Sequence, residues 1–330
     1  MTRADLTPDP ILESVEKTVD DQWETFEVTI ERATQRAFRS GFGCFVGRPN
    51  TGKSTLTNAL VGTKVAITSD KPQTTRRAIR GIVNRADAQL VIVDTPGLHR
   101  PRTLLGERLN DVVRTTLGEV DVIGFCVSAD QRVGPGDRYI AAELASVAAP
   151  VIAIVTKVDA VSTAHVAAQL LAVNELGEFS DIVPVSAVTG DQVDLLADLL
   201  VAQLPAGPVL YPTDLNTDEP VEITVAELVR EAALDGVHDE LPHSIAVTVD
   251  EMHPRDGRPD LTDVFATIHL ERTSQKGILI GAGGSRLKAI GTVARPQIER
   301  LLGTRVHLDL HVAVESDWQR DPRKLGRLGL

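Results

Sequence analysis

Residues 47–54, GRPNTGKS, fit the pattern G-x-x-x-x-G-K-[ST], which binds phosphate groups. In such a loop the backbone N–H groups surround the phosphates, Lys53 reaches the terminal ones, and the Ser54 hydroxyl can ligate Mg²⁺. The apolar run CFV precedes the loop and TLTNAL follows it, which is a strand–loop–helix order. The candidate nucleotide-binding residues of this segment are Gly47, Arg48, Pro49, Asn50, Thr51, Gly52, Lys53, Ser54 and Thr55.

A second motif, DTPG, follows the apolar run LVIV and consists of Asp94, Thr95, Pro96 and Gly97. A carboxylate at the end of a neighbouring buried strand is well placed to hold the metal through water, and the Gly97 N–H can bind the γ-phosphate. By itself DTPG can also be a plain turn at a strand end. The choice between ATP and GTP therefore depends on motifs further along the chain.

The tetrapeptide TKVD, residues 156–159, ends the apolar run VIAIV and indicates guanine binding. Asp159 can accept two hydrogen bonds from the ring and exocyclic N–H groups of guanine, a donor pair that adenine lacks. Lys157 would pack its stem along the base. Further on, IVPVSA places Ser186 and Ala187 at another strand end, where a backbone N–H can meet the guanine carbonyl. In isolation TKVD can instead be an exposed charged turn.

The order and spacing of these motifs are similar to those of translation-factor-class GTPases, and KPQTTR at 71–76 resembles the first switch of the Era family. The resemblance implies a GTPase in which Thr75 ligates Mg²⁺ when GTP is bound, with Thr74 as the alternative. The Mg²⁺ ligands that it implies are Ser54, Thr75 and Asp94. The catalytic residues that it implies are Lys53, Thr75 and Gly97. Without the resemblance, KPQTTR can be a solvated polar loop.

Three positions depart from common GTPase patterns. Leu98 stands where many switch GTPases have a glutamine that orients the attacking water, so we expect slow unassisted hydrolysis. Some related GTPases that also have a hydrophobic residue in place of this glutamine bind K⁺ at the position of Asn50. We hypothesise that Asn50 and the first switch hold K⁺. Thr156 replaces the usual asparagine of NKxD, which predicts a guanine site weaker by ~1 kcal/mol for one neutral hydrogen bond.

The distribution of apolar runs predicts two domains. From about residue 41 to 204, β-rich runs alternate with helical patterns such as 139–147 and 193–204, which is typical of an α/β fold with a mostly parallel sheet. The boundaries that we predict are an N-terminal arm at 1–39, a GTPase domain at 40–205, a linker at 206–220 and a second domain at 221–330. The arm carries nine acidic and five basic residues and is expected to be partly helical.

The C-terminal part predicts an α+β domain that binds RNA. A helical pattern at 221–233 precedes HSIAVTVDEM and DVFATIHLE, which alternate like an antiparallel strand pair, and VHLDLHVAV is a closing strand. Between them, ILIGAGG contains a G-x-x-G loop before a helical pattern, an arrangement that lets an RNA backbone approach closely. The stretch 272–305 has seven basic residues and one acidic residue, although the net charge of the chain is −12. A lone G-x-x-G can also be a turn at a helix start.

The sequence around this loop closely resembles the type II KH domain of the Era family. The resemblance lies in ELPHSIAVTVDEM, ERTSQKGILIGAGGSRLKAIG and IERLLGTRVHLDLHVAVESDW. The resemblance implies binding to 16S ribosomal RNA near its 3′ end and a role in 30S subunit assembly and rRNA maturation. The candidate RNA-binding residues are Lys276, Gly277, Ile280, Gly281, Ala282, Gly283, Gly284, Arg286 and Lys288. Family members commonly have lysine where Ala282 stands, so we expect weaker RNA binding. We expect Ile278, Ile280 and Leu287 in the domain core.

Composition restricts the other functions. A net charge of −12 argues against indiscriminate coating of nucleic acid, and the apolar stretches are far shorter than the roughly 20 residues of a membrane span. Cys44 and Cys126 lie in apolar runs and are expected to be reduced core residues. We expect a cytoplasmic monomer, and the family resemblance alone adds peripheral membrane association.

Two alternatives to a GTPase stay open on the sequence alone. One is a metabolic P-loop kinase or ATPase, and the other is a non-catalytic RNA-binding assembly protein with a decayed nucleotide pocket. Retention of Lys53, Ser54, Asp94 and Asp159 argues against decay.

Overall fold

The structure, a computed structural model, describes residues 37–71, 74–98, 103–237 and 241–330. Residues Arg39–Leu330 form one compact unit. The predicted arm at 1–39 lies outside the described residues except for its last three positions, so its helical content stays a prediction. Pro72 and Gln73 of the first switch also lie outside the described residues.

The described residues contain nine strands and nine α-helices. The strands are β1 (Arg39–Gly47), β2 (Ile79–Asn84), β3 (Ala88–Asp94), β4 (Val122–Ser128), β5 (Val151–Thr156), β6 (Asp181–Val185), β7 (Ala246–Arg255), β8 (Arg258–Leu270) and β9 (Arg305–Val314). The helices are α1 (Lys53–Val61), α2 (Leu104–Leu117), α3 (Pro135–Leu144), α4 (Thr163–Asn174), α5 (Val193–Ala202), α6 (Val221–Leu234), α7 (Thr273–Ile280), α8 (Ser285–Leu302) and α9 (Pro322–Arg327).

The first six strands form one sheet in the order β2-β3-β1-β4-β5-β6, parallel except for β2. Every residue of β3, β4 and β5 is buried, as expected for a parallel sheet whose two faces are covered. The carboxyl ends of β1, β3, β5 and β6 therefore meet at one edge, and each carries one of the predicted motifs. The α/β fold class is confirmed.

Strand β2 was not predicted, and its position matters for the site. It pairs antiparallel with β3, and its first residue, Ile79, lies opposite Asp94. Because β2 runs against the other strands, it starts at the edge where they end. The first switch, which precedes β2 in the chain, is thereby placed at the same edge as the phosphate loop.

Helix boundaries differ from the sequence prediction for a capping reason. Helix α3 starts at Pro135 rather than near residue 139, because proline suits the first helical position and the Asp137 carboxylate accepts the Gly134 N–H at 2.8 Å. Helix α5 ends at Ala202, two residues before the predicted end at 204.

The C-terminal part has the element order α6-β7-β8-α7-α8-β9 and the sheet order β7-β8-β9. Strands β7 and β8 are antiparallel as predicted, and β9 runs parallel to β8. The prediction for Ile278 was wrong, because this side chain is 58% exposed and Leu279 is fully buried instead. Helix α7 before the glycines had not been predicted, and it turns consecutive residues to different faces. Ile280 and Leu287 pack against the core as expected.

The predicted linker at 206–220 is ordered along the first sheet. The Ile82 N–H donates to the Asn216 carbonyl at 2.9 Å. The buried Gln89 side chain accepts the N–H groups of Leu210 and Tyr211 at 2.7 and 2.9 Å. This segment therefore packs on the sheet, and its role as a boundary between folding units stays a prediction.

Both cysteines are buried and free, as expected, and burial raises the pKa of each thiol to about 12. No helix among the described residues is long and apolar enough to cross a membrane.

Candidate nucleotide site and nucleic-acid interface

The phosphate loop connects the end of β1 at Gly47 to the start of α1 at Lys53. The Lys53 ammonium donates to the carbonyls of Gly47 at 3.3 Å and Arg48 at 3.0 Å, so its stem folds back over the loop. Asn50 and Gly52 have φ angles of 64° and 88°, in the left-handed region. The loop thus lies at the amino end of a helix, where backbone N–H groups favour anions.

A pocket at this loop is also lined by the first switch and by the DTPG motif. Its lining residues are Pro49, Asn50, Gly52, Lys53, Ser54, Thr55, Ile67, Thr68, Ser69, Thr74, Thr75 and Gly97. Gly97 lies so close to the loop that an added Cβ would be 2.8 Å from the Pro49 nitrogen. A side chain at position 97 would therefore displace the loop, which explains the glycine.

Three oxygen-bearing side chains meet beside the pocket. The Ser54 hydroxyl donates to Asp94 Oδ2 at 2.7 Å and lies 2.9 Å from the Thr75 hydroxyl, which is 3.2 Å from the same carboxylate oxygen. Thr74, the alternative ligand, instead donates its hydroxyl to the Lys71 carbonyl at 2.6 Å. Of the two threonines, Thr75 is the one that the structure places with Ser54 and Asp94.

The donor set of this cluster fits a hard cation. Asp94 is fully buried, and its Oδ1 has no hydrogen-bond partner among the described residues. Burial raises the pKa of Asp94, against the Ser54 hydrogen bond and the Lys53 charge, and burial also lowers the pKa of Lys53. Hydroxyl and carboxylate oxygens are ligands that Mg²⁺ prefers. A cation at the cluster would satisfy the unpartnered oxygen.

At the other end of the site, Asp159 is held by a neighbouring strand end. The buried Ser186 hydroxyl donates to Asp159 Oδ1 at 2.6 Å, which joins the residues after β5 and β6, and Ala187 follows Ser186 directly. Lys157 has a φ angle of 58°, and its ammonium lies 3.1 Å from Asp130 Oδ2. The predicted guanine-binding residues are thus brought together.

Thr156 makes a contact that the sequence did not reveal. Its hydroxyl donates to the Thr51 carbonyl at 2.6 Å, and this hydrogen bond ties the end of β5 to the phosphate loop. Although the hydroxyl stands where an amide is usual, it still makes a hydrogen bond that directly joins the base-binding and phosphate-binding segments.

A second contact missed from the sequence anchors the loop from outside. The Arg48 Nε donates to Asp137 Oδ1 at 2.8 Å, and Asp137 is the fully buried residue that caps α3. The capping signal in GPGD was readable in the sequence, but its pairing with Arg48 was not. Sequence reasoning also left out Ile67, Thr68 and Ser69, which line the pocket.

The positions related to water and K⁺ are also placed. Leu98 is 6% exposed and packs in the core of the first sheet, so its side chain has no means of orienting water. The Asn50 side-chain amide donates to the Asp70 carbonyl at 2.6 Å. Asn50 therefore connects the phosphate loop with the backbone of the residue that directly precedes the first switch.

The G-x-x-G loop lies between α7 and α8. Gly281, Gly283 and Gly284 have φ angles of 74°, 58° and 81°, which L-residues with side chains rarely adopt. Added Cβ atoms at Gly283 and Gly284 would meet no atom of the described residues within 4 Å. Ala282 and Lys288 are exposed. The loop is open to an approaching backbone.

Arg286 is engaged differently from the other predicted RNA-binding residues. Its guanidinium donates to the Asp235 carbonyl at 2.6 Å and to the Gly236 carbonyl at 3.3 Å. These contacts hold the start of α8 against the end of α6. Of the three basic residues predicted to bind RNA, Lys288 is exposed, whereas Arg286 is engaged with backbone carbonyls of its own domain.

The fold and the two sites define a phosphate-loop GTPase domain followed by a KH domain. A family model described as 50S ribosome-binding GTPase matches residues 43–157, and a KH domain model matches residues 240–319. The GTPase Era of Mycolicibacterium paratuberculosis is 64% identical over 295 residues, which cover 88% of this chain and 99% of that protein. The GTPase Era of Streptomyces coelicolor is 63% identical over 308 residues, covering 91% and 97%. The chain belongs to the Era family of GTPases.

Two solved structures show the same fold. An Era structure in complex with MgGDPNP and nucleotides 1506–1542 of 16S ribosomal RNA has a TM-score of 0.86 and 37% identity, covering 88% of this chain and 99% of that one. An Aquifex aeolicus Era variant bound to GDP and AlF₄⁻ has a TM-score of 0.84 and 36% identity, with the same coverage. Membership of this family shows that the chain is a GTPase. It decides against the two alternatives that the sequence left open, a P-loop kinase or ATPase and a protein with a decayed nucleotide pocket.

Replacing Asp159 tests the assignment of the guanine site. Asp159→Asn is expected to weaken GTP binding by roughly a hundredfold, because it removes the charged acceptor for two guanine N–H groups. Titration with a fluorescent GTP analogue measures the change. Asp130→Asn is the matched control, because this partly exposed carboxylate pairs with the partly exposed Lys157 and accepts from the buried Ser128 but is not a predicted guanine ligand, so the change should alter GTP affinity less than about threefold. Equal losses in both variants would contradict the assignment.

Proposed function

We propose that this chain is a GTP-driven switch that binds 16S ribosomal RNA near its 3′ end and assists 30S subunit assembly and rRNA maturation. One observation carries the proposal: the described residues of one segment, 64–71 and 74–77, contribute to the nucleotide pocket and also contact the KH domain. The Era relative with bound MgGDPNP and 16S RNA supports both halves of the proposal.

The nucleotide lies, in this proposal, with its phosphates on the loop at 47–54 and its guanine at Asp159. Ser54, Thr75 and Asp94 would hold Mg²⁺, which supplies charge neutralisation for the phosphate oxygens when bound. Lys53 lies next to the terminal phosphates, and its positive charge stabilises the phosphate oxygens on which negative charge develops during hydrolysis. The Gly97 N–H donates to the γ-phosphate.

Hydrolysis by this arrangement is slow without a partner. Leu98 is buried and apolar, so the attacking water must be positioned by other groups. We propose that K⁺ binds between Asn50 and the first switch and adds positive charge beside the phosphates. The contact between the Asn50 amide and the Asp70 carbonyl supports this, because it brings the two proposed ligand sources together.

The RNA is bound, in this proposal, across the G-x-x-G loop and the exposed residues beside it. The open left-handed glycines allow the RNA backbone to approach, and Lys276 and Lys288 supply positive charge. Only 3% of the residues are aromatic, so stacking contributes little, and hydrogen bonds and apolar contacts carry the recognition. The monomeric state and the cytoplasmic location stay predictions, and peripheral membrane association rests on the family resemblance alone.

Coupling between the two sites follows the chain of contacts from the first switch. The Thr68 N–H donates to Glu231 Oε1 on α6 at 2.9 Å, and Arg77 donates to the Leu328 carbonyl at 2.9 Å. Arg108 of α2, which follows DTPG, donates to the Leu330 carbonyl at 2.8 Å. GTP that orders these segments therefore changes how the GTPase domain sits against the KH domain, and hydrolysis reverses the change.

The coupling predicts that RNA affinity depends on the nucleotide. A fragment of the 16S 3′ end is expected to bind about fivefold or more tightly with a non-hydrolysable GTP analogue than with GDP, as in other coupled sites. Fluorescence anisotropy of labelled RNA measures both affinities. Asp159→Asn protein at the same nucleotide concentrations should lose the difference. Equal affinity with the two nucleotides in the unaltered protein would contradict the proposal.

The K⁺ hypothesis predicts a cation dependence that Asn50 controls. Exchange of K⁺ for Na⁺ is expected to lower GTP turnover about tenfold or more, because a charge beside the phosphates is lost. Asn50→Ala should turn over GTP slowly and equally in both salts. Asn50 also lines the nucleotide pocket and has a left-handed φ angle of 64°, so the affinity for GDP, measured in parallel, separates a general loss of nucleotide binding from the loss of the cation dependence. Turnover of the unaltered protein that ignores the exchange would refute the hypothesis.

The missing loop lysine predicts a gain of function. Ala282→Lys is expected to tighten RNA binding and to steepen its salt dependence by about one unit of slope, because one phosphate contact is added. The slope of log affinity against log salt concentration measures this. Leu171→Lys is the matched control, since Leu171 is 70% exposed on α4 of the GTPase domain and receives the same charge. Similar slopes in both variants would show that only net charge matters.

A further inference from the structure

Thr75 lies between two residues that are each attached to the KH domain. On one side, the Thr74 carbonyl accepts a hydrogen bond from the Arg230 guanidinium of α6. On the other side, the Arg76 guanidinium donates to three carbonyls of the segment before β7. Those of Ile245, His243 and Pro242 lie at 2.6, 2.9 and 3.1 Å.

Both arginines are buried, so these contacts are not loose surface pairs. Arg76 is 4% exposed and Arg230 is 2% exposed. The Arg76 guanidinium also lies 5.6 Å from the ring centre of the buried Trp318, and Arg230 Nε donates to Glu227 at 2.8 Å. A buried guanidinium is costly to leave unpaired, so each arginine strongly favours the position in which its acceptors are present.

Fixing both neighbours restricts Thr75. A residue spans at most about 3.6 Å of chain, so a fixed Thr74 carbonyl and a fixed Arg76 side chain leave little freedom for the residue between them. The branched threonine side chain adds its own stiffness. Its hydroxyl is thereby held 2.9 Å from the Ser54 hydroxyl and 3.2 Å from Asp94 Oδ2.

We propose that the KH domain is a structural part of the metal site, with Arg76 and Arg230 as positioning residues that hold Thr75 where it ligates Mg²⁺ together with GTP. This inference rests on the proposed function. It assigns the coupling to two arginines and gives it a route: a change at α6 or at 242–245 reaches the nucleotide site through the neighbours of Thr75, and a change at the nucleotide site returns the same way. The contacts of Thr68, Arg77 and Arg108 join the same parts of the chain but do not hold the two neighbours of Thr75.

Lys64 supplies the comparison for this distinction. Its ammonium pairs with Glu231 and lies 2.7 Å from Gln297 Oε1, so it joins the same two domains. It stands eleven positions before Thr75 and is exposed. Loss of this contact loosens the interface but leaves both neighbours of Thr75 attached.

The test measures how much Mg²⁺ strengthens binding of a fluorescent, non-hydrolysable GTP analogue to the full-length protein. The dissociation constant is determined with Mg²⁺ and with EDTA, and their ratio is the Mg²⁺ gain. Arg230→Met is expected to lower the gain about tenfold, the value of one charge-assisted hydrogen bond. Arg76→Lys should lower it likewise, because an ammonium cannot bridge the three carbonyls in the fork geometry of a guanidinium. Affinity in EDTA should stay within about twofold, as the base and loop contacts remain.

Two controls separate positioning from general loosening. Lys64→Met should keep the Mg²⁺ gain of the unaltered protein. The gain for GDP should be unchanged in every variant, because Thr75 is expected to ligate the metal only together with GTP. An unchanged gain for the GTP analogue in both arginine variants would overturn the inference, and so would an equal drop in Lys64→Met.

Failure of folding and failure of the proposed function give other results. Loss of nucleotide binding in EDTA by Arg230→Met would indicate that this variant does not fold. The Mg²⁺ gain of Arg76→Lys would then decide whether the arginines position Thr75. If the unaltered protein bound no GTP analogue, the proposed function itself would be wrong. A normal Mg²⁺ gain in the unaltered protein that both arginine variants retain contradicts the positioning role alone.

Discussion

The buried carboxylate of Asp94 is the constraint on which the rest of the site depends. It lies at the end of a fully buried strand, where burial raises its pKa, and only one of its oxygens has a partner among the described residues. A buried charge is costly unless it is paired and hydrogen-bonded. The hydroxyls of Ser54 and Thr75 provide part of that compensation, and a cation at the cluster would provide the remainder. The buried carboxylate of Asp94 therefore favours the position of the first switch in which the Thr75 hydroxyl reaches it.

From this cluster the constraint passes along the chain to the KH domain. Thr75 is followed by Arg76, which donates to the Ile245 carbonyl within the matched KH segment, by Arg77, which donates to the Leu328 carbonyl, and then by β2, whose first residue pairs with Asp94. The end of the first switch, the two arginines that contact the C-terminal part and the edge strand β2 thus follow one another directly in the chain. Energetic coupling between two sites is reciprocal, so in the proposed function a nucleotide that fixes this segment and an RNA that fixes the KH domain are expected to affect each other through it.

Sequence reasoning found the residues whose positions follow from local pattern. Asp94, Asp159 and Ser186 each end an apolar run, and strand ends of a parallel sheet converge whatever the rest of the chain does. It could not find pairs set by the packing of distant segments, such as Arg48 with Asp137, Thr156 with Thr51, or Arg76 with Trp318. It also misplaced Ile278, because the eight residues of α7 are too few for a clear helical period. Strand β2 was missed because its sequence, IRGIVN, is interrupted by glycine and charge.

The departures from family patterns have different physical weight. At Thr156 the change from amide to hydroxyl keeps a 2.6 Å link to the phosphate loop, so the connection between base and phosphate segments persists. At Leu98 the side chain is absorbed into the core, which removes a water-orienting group but adds apolar packing. At Ala282 the missing charge lies on an exposed loop. The nucleotide site therefore preserves its contacts despite its substitutions. A chain that no longer used a nucleotide would gain stability by losing the buried Lys53 and Asp94 charges, and this chain keeps both.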